Sequence, residues 1–220
     1  MKKLLIVANW KSNKTVSQAK EWLEGLQIED LGIKNKEVII CAPFTLLPFL
    51  RSYFLHPTSD IQLGGQDVSP FFEGAYTGAV NGKQLKEFAD YVIIGHSERR
   101  EHFHETDEEL EQKVQQALAF GLTPVFCVQG VETPIPDGVA IVAYEPLSAI
   151  GTGNPDTPEN AQEVARVIKE KHRMVHAVLY GGSVTPENVN SFTQMEHIDG
   201  VLVGGASLDS TVFTQLIENA

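Results

Sequence analysis

The sequence predicts an α/β protein in which eight parallel strands close into a (β/α)8 barrel, and three observations support this prediction. Short apolar runs rich in β-branched residues alternate with helical patterns along the chain. The length of 220 residues fits one large domain better than two small ones, since barrels of this class have roughly 250 residues. No low-complexity or linker-like stretch divides the chain, so we expect residues 1–220 to form a single domain.

The strands are predicted where the β-branched runs occur. A doubly wound sheet usually has fewer strands and a switch point in its strand order, whereas eight strands that each return through a right-handed crossover can close on themselves. We therefore favour the barrel. The predicted strands lie near residues 4–8, 37–42, 61–66, 91–94, 123–127, 140–144, 177–181 and 199–203.

The helices are predicted from apolar residues at helical spacing, such as Leu110, Val114 and Ala117. Two helices begin with the same tetrapeptide, Thr-Pro-Glu-Asn, at 157–160 and 185–188. In it Thr can cap the helix, Pro suits the first helical position and Glu complements the helix dipole. Seven helices are expected, near residues 16–26, 43–55, 82–89, 106–120, 157–171, 186–194 and 207–218.

The connection between strands five and six is the exception to this pattern. It runs from Val128 to Val139 and carries Pro134 and Pro136 but no helical period. We therefore expect the helix between strands five and six to be missing or shortened. Either residues 128–139 then pack flat over the exposed part of the barrel, or another subunit covers it.

Composition and charge argue against several kinds of partner. The net charge of −12 disfavours nucleic acid and acidic membranes, which both require clustered basic residues. The apolar start, Leu4 to Ala8, is too short for a signal-peptide core, and no run approaches membrane-spanning length, so we expect a cytoplasmic protein. Cys41 and Cys127 lie in apolar runs, where free thiols behave as small buried hydrophobes, so neither a disulfide nor a metal site is expected.

Chemically capable residues follow the predicted strands at their C-terminal ends. In a (β/α)8 barrel these ends all open on one face, so residues distant in sequence converge there. The residues expected to meet are Asn9, Lys11, Gln66, His96, Glu145, Ser183, Gly204 and Gly205.

Three of these residues suggest acid–base chemistry on an anion. Glu145 ends an apolar strand and precedes a glycine-spaced segment, which is typical of a base beneath a lid, although a satisfied strand-end carboxylate is the alternative. His96 precedes a short helix, whose N-terminus would keep the imidazole neutral, although a structural histidine is the alternative. Lys11 alone would be a solvated loop charge, but an anionic ligand in so acidic a protein needs a local cation.

Glycine pairs follow strands seven and eight, at Gly181-Gly182 and Gly204-Gly205. Backbone amides approach a phosphate closely where no side chain intervenes, and barrels commonly bind phosphate at these two loops. The alternative interpretation is that each glycine pair simply forms a turn. Gly151, in the lid, could add another amide.

The segment His102-Phe103-His104-Glu105 places two imidazoles near a carboxylate. No second cluster with ligand spacing accompanies it, so we reject a metal site. Arg99 and Arg100 are expected to pair with nearby carboxylates such as Glu105.

Six ordered motifs give the chain a family resemblance over nearly its whole length. They are Asn9-Trp10-Lys11, Gly95-His96-Ser97-Glu98-Arg99-Arg100, Tyr144-Glu145-Pro146, Ala149-Ile150-Gly151-Thr152-Gly153, Tyr180-Gly181-Gly182-Ser183 and Val203-Gly204-Gly205-Ala206-Ser207. Together they resemble the triosephosphate isomerase family, whose fold is the TIM barrel. Enzymes of this family use a glutamate base, a neutral histidine and a loop that excludes water.

The resemblance implies interconversion of dihydroxyacetone phosphate and glyceraldehyde 3-phosphate without cofactor or metal. Glu145 would move a proton between adjacent carbons, while neutral His96 donates to the oxygen that gains charge. Lys11 and Asn9 would stabilise that charge. Closure of residues 146–153 would exclude water, so that the enediolate is reprotonated before it eliminates phosphate. Phosphate binding is implied for Gly151, Ser183, Gly204 and Gly205.

The resemblance also implies a homodimer. Residues 66–78 are similar to the family's long third loop, which inserts into a neighbouring subunit and braces its catalytic lysine. Thr77 would be the reaching residue and Glu98 its neighbour. On a monomer, Phe71, Phe72 and Tyr76 would otherwise form an exposed aromatic patch.

This chain departs from the family pattern in its lid. Ser148 stands where the family usually has Trp, and Gln129-Gly130 stands where it has a Gly-Glu pair that partners that Trp. The missing helix resembles shortened archaeal members, which are often tetramers, so a tetramer stays possible. The motifs themselves look bacterial, which identifies a compact, divergent bacterial-type member.

Two rival functions stay open. Another phosphosugar enzyme on the same barrel would share the phosphate cradle but would need more polar groups for a longer sugar. A catalytically silent barrel that binds a phosphate ligand is suggested by the altered lid. The presence of Lys11, His96 and Glu145 together disfavours this second alternative.

Overall fold

The structure is a computed structural model that describes residues 3–26, 35–54, 61–147, 149 and 154–220. Within these residues eight parallel strands close into a barrel in chain order, as predicted. Leu5 of the first strand pairs with Gly200 of the last, which completes the ring. The strands are β1 Leu4–Asn9, β2 Lys36–Cys41, β3 Ile61–Gly65, β4 Tyr91–Ile94, β5 Thr123–Val128, β6 Ile141–Tyr144, β7 Ala177–Tyr180 and β8 Gly200–Val203.

The strands separate two apolar layers because successive side chains alternate between the two faces of a strand. Along β1, Leu5 and Val7 belong to the cluster inside the barrel, whereas Ile6 and Ala8 pack against the surrounding helices. Cys41 and Cys127 are free, buried thiols of the inner cluster. Both faces are covered, which explains why the strands read as continuous apolar runs.

The described residues also form eight α-helices, seven of them close to the predicted positions. The eighth, α4, is the short helix whose start was expected after His96. The predicted second helix begins as a 3-10 turn at Phe44–Leu46. The helices are α1 Val16–Gly25, α2 Leu47–Tyr53, α3 Gly82–Lys86, α4 Ser97–His102, α5 Asp107–Ala119, α6 Pro158–Lys171, α7 Val189–Thr193 and α8 Ser210–Asn219.

The two Thr-Pro-Glu-Asn tetrapeptides behave differently. At α6 the hydroxyl of Thr157 accepts from the backbone N–H of Asn160 at 3.2 Å, and the helix starts at Pro158 as predicted. Before α7 the side chain of Asn188 accepts from the N–H of Thr185 at 2.8 Å and donates to the carbonyl of Ser183 at 3.0 Å. These bonds fold the tetrapeptide into a turn, so α7 begins after it.

Residues 129–140, all of which the structure describes, form turns and no helix, as predicted. Val139 is buried, and Val131 and Ile135 pack against the outer apolar layer. The connection therefore packs flat over the barrel, which is the first of the two arrangements expected from the sequence. No helix among the described residues is long and apolar enough to cross a membrane.

Candidate active site

A pocket of about 280 Å³ opens at the C-terminal ends of the strands. Seven of the residues nominated from the sequence line it, namely Asn9, Lys11, His96, Glu145, Ser183, Gly204 and Gly205. Glu98 lies beside Lys11, and Thr77 is exposed in the segment after β3. Gly151 and Ser148 lie outside the described residues.

The Glu145 carboxylate is held by two donors from the segment after β4. Glu145 directly follows β6 and is only 1% exposed. Its Oε2 accepts from the backbone N–H of Ser97 at 2.9 Å, and its Oε1 lies 2.9 Å from His96 Nε2. The sequence placed His96 near Glu145 but gave no signal for the Ser97 amide other than the helix start that frees it. The carboxylate is thus buried, oriented and paired with an imidazole.

The hydrogen bonds of His96 define which nitrogen carries the proton. Nδ1 accepts from the backbone N–H of Glu98 at 3.2 Å, because His96 caps α4. A nitrogen that accepts carries no proton, so the ring is neutral and Nε2 is its donor. That Nε2–H points at Glu145, into the pocket.

Cys127 lies beneath the Glu145 carboxylate at the end of β5. Burial, together with the neighbouring Glu145 charge, raises the pKa of the Cys127 thiol well above its ordinary value. The thiol therefore stays protonated and places no charge next to the Glu145 carboxylate. Sequence patterning identified Cys127 only as a buried hydrophobe.

The backbone at Lys11 is left-handed, with a φ of 52°, an uncommon conformation for a residue with a side chain. Asn9 Oδ1 accepts from the Lys11 N–H at 3.0 Å, and Gln66 Nε2 donates to the Lys11 carbonyl at 3.0 Å. Held from both sides, the lysine places its Nζ 2.5 Å from Glu98 Oε1. Since the Asn9 oxygen is occupied, its NH₂ group is the end that remains for a ligand.

A side chain would be closely packed at three glycines of the loops after β7 and β8, most severely at Gly182. A Cβ on Gly182 would lie 2.2 Å from the Tyr180 hydroxyl, and one on Gly181 would lie 3.0 Å from Glu145 Cγ. A Cβ on Gly204 would lie 3.2 Å from Lys11 Cε. The absent side chains therefore make room for the catalytic candidates themselves.

The loops after β7 and β8 both line the pocket. The Ser183 hydroxyl donates to the Ala149 carbonyl at 2.7 Å, which links the loop after β7 to the segment after Glu145. A Cβ on Gly205 would meet nothing within 4 Å, and a 3-10 turn starts there. A glycine at the first position of this turn lets a ligand approach the backbone closely, which suits an anion site.

Charged residues of α4, of α5 and of the segment between them form a separate cluster. Glu105 accepts from Arg99 Nε at 2.6 Å, the expected pairing, and from Lys113 Nζ at 2.5 Å. Arg100 also pairs with a nearby carboxylate, since its guanidinium donates to Asp107 Oδ1 at 2.9 Å. Among the described residues, no group of three or more His, Cys, Asp and Glu side chains is arranged to hold a metal ion.

Comparison with known proteins gives a consistent result. A family model described as "Triosephosphate isomerase" matches residues 4–138 and 136–220. Proteins named triosephosphate isomerase are 37% identical in Endomicrobium trichonymphae and 40% identical in Trichodesmium erythraeum, each alignment covering 99% of both chains. The crystal structure of triosephosphate isomerase from Bartonella henselae superposes with a TM-score of 0.83 at 32% identity, covering 99% of this chain and 98% of the other.

The comparisons also bear on the short connection between β5 and β6. The two matched segments meet at residues 136–138, inside this connection. Alignments with these two relatives run over 249 and 240 positions, more than the 220 residues of this chain. The relatives therefore carry residues that this chain lacks.

Proposed function

The chain belongs to the triosephosphate isomerase family, and we propose that it interconverts dihydroxyacetone phosphate and glyceraldehyde 3-phosphate. One observation carries the proposal. A buried carboxylate, Glu145, and a neutral imidazole donor, His96, lie 2.9 Å apart in the same pocket as two glycine loops and a lysine. These are the groups that proton transfer next to a carbonyl on a phosphorylated substrate requires.

In this scheme Glu145 removes a proton from the carbon next to the substrate carbonyl and returns it to the adjacent carbon. The intermediate is an enediolate, and its charged oxygen accepts from His96 Nε2–H. In the structure that N–H donates to Glu145, so substrate must displace the carboxylate from His96. The same movement brings Glu145 over the substrate.

The phosphate is bound by local groups because the whole protein repels anions. The chain carries a net charge of −12, so the favourable charge must come from Lys11 and from backbone amides at Ser183, Gly204 and Gly205. Lys11 and the Asn9 NH₂ group also reach the substrate oxygen. The pocket of about 280 Å³ has room for a triose phosphate.

The proposed location is the cytoplasm. Cys41 and Cys127 are both free and buried, which fits a reducing compartment.

A homodimer is part of the proposal. Phe71, Phe72 and Tyr76 are 45%, 61% and 46% exposed, and the Phe71 and Tyr76 rings stack 4.2 Å apart. Beside Lys11 lies a second cavity of about 550 Å³, whose lining includes Phe44 and Phe103. In the dimer the aromatic segment of one subunit fills this cavity in the other, with Thr77 reaching Glu98.

The decisive experiment is a coupled assay with glyceraldehyde 3-phosphate on the purified protein. Wild type should turn over this substrate, and Glu145→Gln should lose at least about a thousandfold in kcat. Glu132→Gln, on the exposed β5–β6 connection, is the control and should keep full activity. An inactive wild type that still binds inorganic phosphate would instead support the silent barrel.

A further inference from the structure

The turn that follows β8 is held at its C-terminal end by two side chains from a distant part of the sequence. Lys14, which lies between β1 and α1, donates from Nζ to the carbonyl of Leu208 at 2.6 Å. Trp22 of α1 donates from its buried Nε1 to the carbonyl of Ser207 at 3.1 Å. Both donors line a separate cavity of about 400 Å³. Two consecutive backbone carbonyls are therefore bound from outside the candidate active site.

The other end of the same turn belongs to the wall of the candidate active site. The 3-10 turn starts at Gly205, directly after Gly204, and both glycines line the pocket. The backbone N–H of Ser207 donates to the carbonyl of Gly204 at 2.9 Å, and the Ser207 hydroxyl donates to the same carbonyl at 2.6 Å. Ser207 is thus bonded to Gly204 on one side and to Trp22 on the other. A shift of the held end would therefore reach the glycines.

Lys14 has a backbone conformation that its surroundings must support. Its φ is 70°, in the left-handed region that few residues with a side chain adopt. Such conformations persist where neighbouring contacts fix them, and they cluster at functional segments. Lys14 Nζ also lies 5.3 Å from the centre of the Trp10 ring, and Trp10 meets Trp22 edge to face with ring centroids 4.9 Å apart. The two donors therefore belong to one packed unit.

We propose that Lys14 and Trp22 are positioning residues that fix the Gly204–Gly205 loop where it receives the phosphate of the substrate. They act through the two carbonyls at the end of the turn, without contacting the substrate. This inference rests on the proposed function, in which these glycines bind phosphate.

The test of Lys14 is Lys14→Met, which removes the ammonium group and keeps most of the length of the side chain. Orthophosphate affinity, measured by calorimetry, should fall at least about fivefold, the effect of losing part of one charge-assisted hydrogen bond. In the assay with glyceraldehyde 3-phosphate, KM should rise by a similar factor while kcat stays within about twofold, because substrate and transition state lose the same binding. Lys20→Met is the matched control. It removes the same charge from an exposed residue of α1 and should keep wild-type phosphate affinity.

A second variant separates the backbone conformation of Lys14 from its bond to Leu208. Lys14→Gly loses the same hydrogen bond, but glycine suits the left-handed region. This variant should therefore melt no lower than Lys14→Met and yet bind orthophosphate as weakly. It also keeps the test valid if Lys14→Met does not fold.

The test of Trp22 is Trp22→Phe, which removes the N–H donor and keeps an aromatic ring in the core. Orthophosphate affinity should fall at least about threefold. Phe213→Leu is the control for lost packing, because the Phe213 ring lies against Trp22, with centroids 5.9 Å apart, and donates no hydrogen bond to the turn. Both variants should lower the melting temperature, but Phe213→Leu should keep phosphate affinity within about twofold.

Unchanged phosphate affinity in Lys14→Met, or equal losses in Lys14→Met and Lys20→Met, would overturn the role of Lys14. Recovery of affinity in Lys14→Gly would also overturn it, since the backbone conformation would then matter and the hydrogen bond would not. Unchanged affinity in Trp22→Phe, or an equal loss in Phe213→Leu, would overturn the role of Trp22.

The proposed function and this inference fail in different ways. A wild type that binds orthophosphate but lacks isomerase activity would overturn the proposed function, while calorimetry, which needs no turnover, would still decide the roles of Lys14 and Trp22. A wild type that binds no orthophosphate would overturn the inference itself.

Discussion

Glu145 uses the full length of its side chain to reach two partners at once. Its oxygens meet Ser97 N–H and His96 Nε2, each at 2.9 Å. Glu145→Asp withdraws the carboxylate by one methylene, so kcat should fall at least about a hundredfold while phosphate-ligand binding stays nearly intact. Steady-state kinetics and calorimetry with orthophosphate measure the two effects. Retention of more than half of the wild-type turnover would show that Glu145 is not the base.

Gly182 is the residue whose missing side chain matters most directly for packing. In Gly182→Ala the new Cβ would meet the Tyr180 hydroxyl and lie 3.2 Å from Ala149 Cβ. Such overpacking costs about 1–3 kcal/mol, and here it also displaces the cradle. We expect a lower melting temperature and weaker orthophosphate binding. Gly130→Ala, where a Cβ meets nothing within 4 Å, is the control and should match wild type.

Residues differ in how far the sequence could predict them. Lys11, His96 and Glu145 were predictable because each ends an apolar strand, and barrel geometry brings strand ends together. Two hydrogen bonds could not be predicted, namely the one from the Asp156 N–H to the Tyr180 hydroxyl and the one from the Glu98 N–H to His96 Nδ1. The position of a hydroxyl and the tautomer of an imidazole ring depend on the final placement of the neighbouring backbone. From the sequence alone, Tyr144 and Tyr180 could be placed at the ends of apolar strands, but the partners of their hydroxyl groups could not be predicted.

At the scale of elements, the apolar runs predicted the strands better than the helical patterns predicted the helix starts. Strands covered on both faces give short apolar runs rich in β-branched residues, which are visible directly in the sequence. A helix start depends instead on which donor finds the capping atom. The second Thr-Pro-Glu-Asn tetrapeptide shows this, since Asn188 satisfies the Thr185 N–H and the helix begins later, at Val189.

The repeated tetrapeptide offers an internal control for capping. Thr157→Ala removes the hydroxyl that accepts from Asn160 N–H and should lower the free energy of unfolding by about 1 kcal/mol. Thr185→Ala changes the same sequence where the threonine does not cap a helix, so its effect should be clearly smaller. Urea denaturation of both variants measures the difference. Equal losses would mean that capping does not account for the stability of α6.

At the scale of the whole molecule, the acidic charge and the exposed aromatic segment place different demands on the protein. A net charge of −12 keeps copies of the chain apart at long range, so any association must come from a local apolar surface. Phe71, Phe72 and Tyr76 provide such a surface, and the cavity beside Lys11 provides a site of suitable chemistry for it. In the proposed dimer, assembly and catalysis are linked through Lys11 and its partner Glu98.

We therefore expect light scattering at micromolar concentration to show at least a dimer. Tyr76→Asp places a charge within the stacked pair that would enter the other subunit, so it should shift the protein toward monomer and lower kcat/KM at least about tenfold. Tyr53→Asp is the matched control: Tyr53 is 43% exposed but lies at the C-terminal end of α2, away from this segment, and both properties should be retained. Because the loss of activity would follow from dissociation, raising the concentration of the Tyr76→Asp variant should recover part of it. A wild type that is monomeric and fully active at this concentration would rule out both the dimer and the bracing of Lys11 by a second subunit.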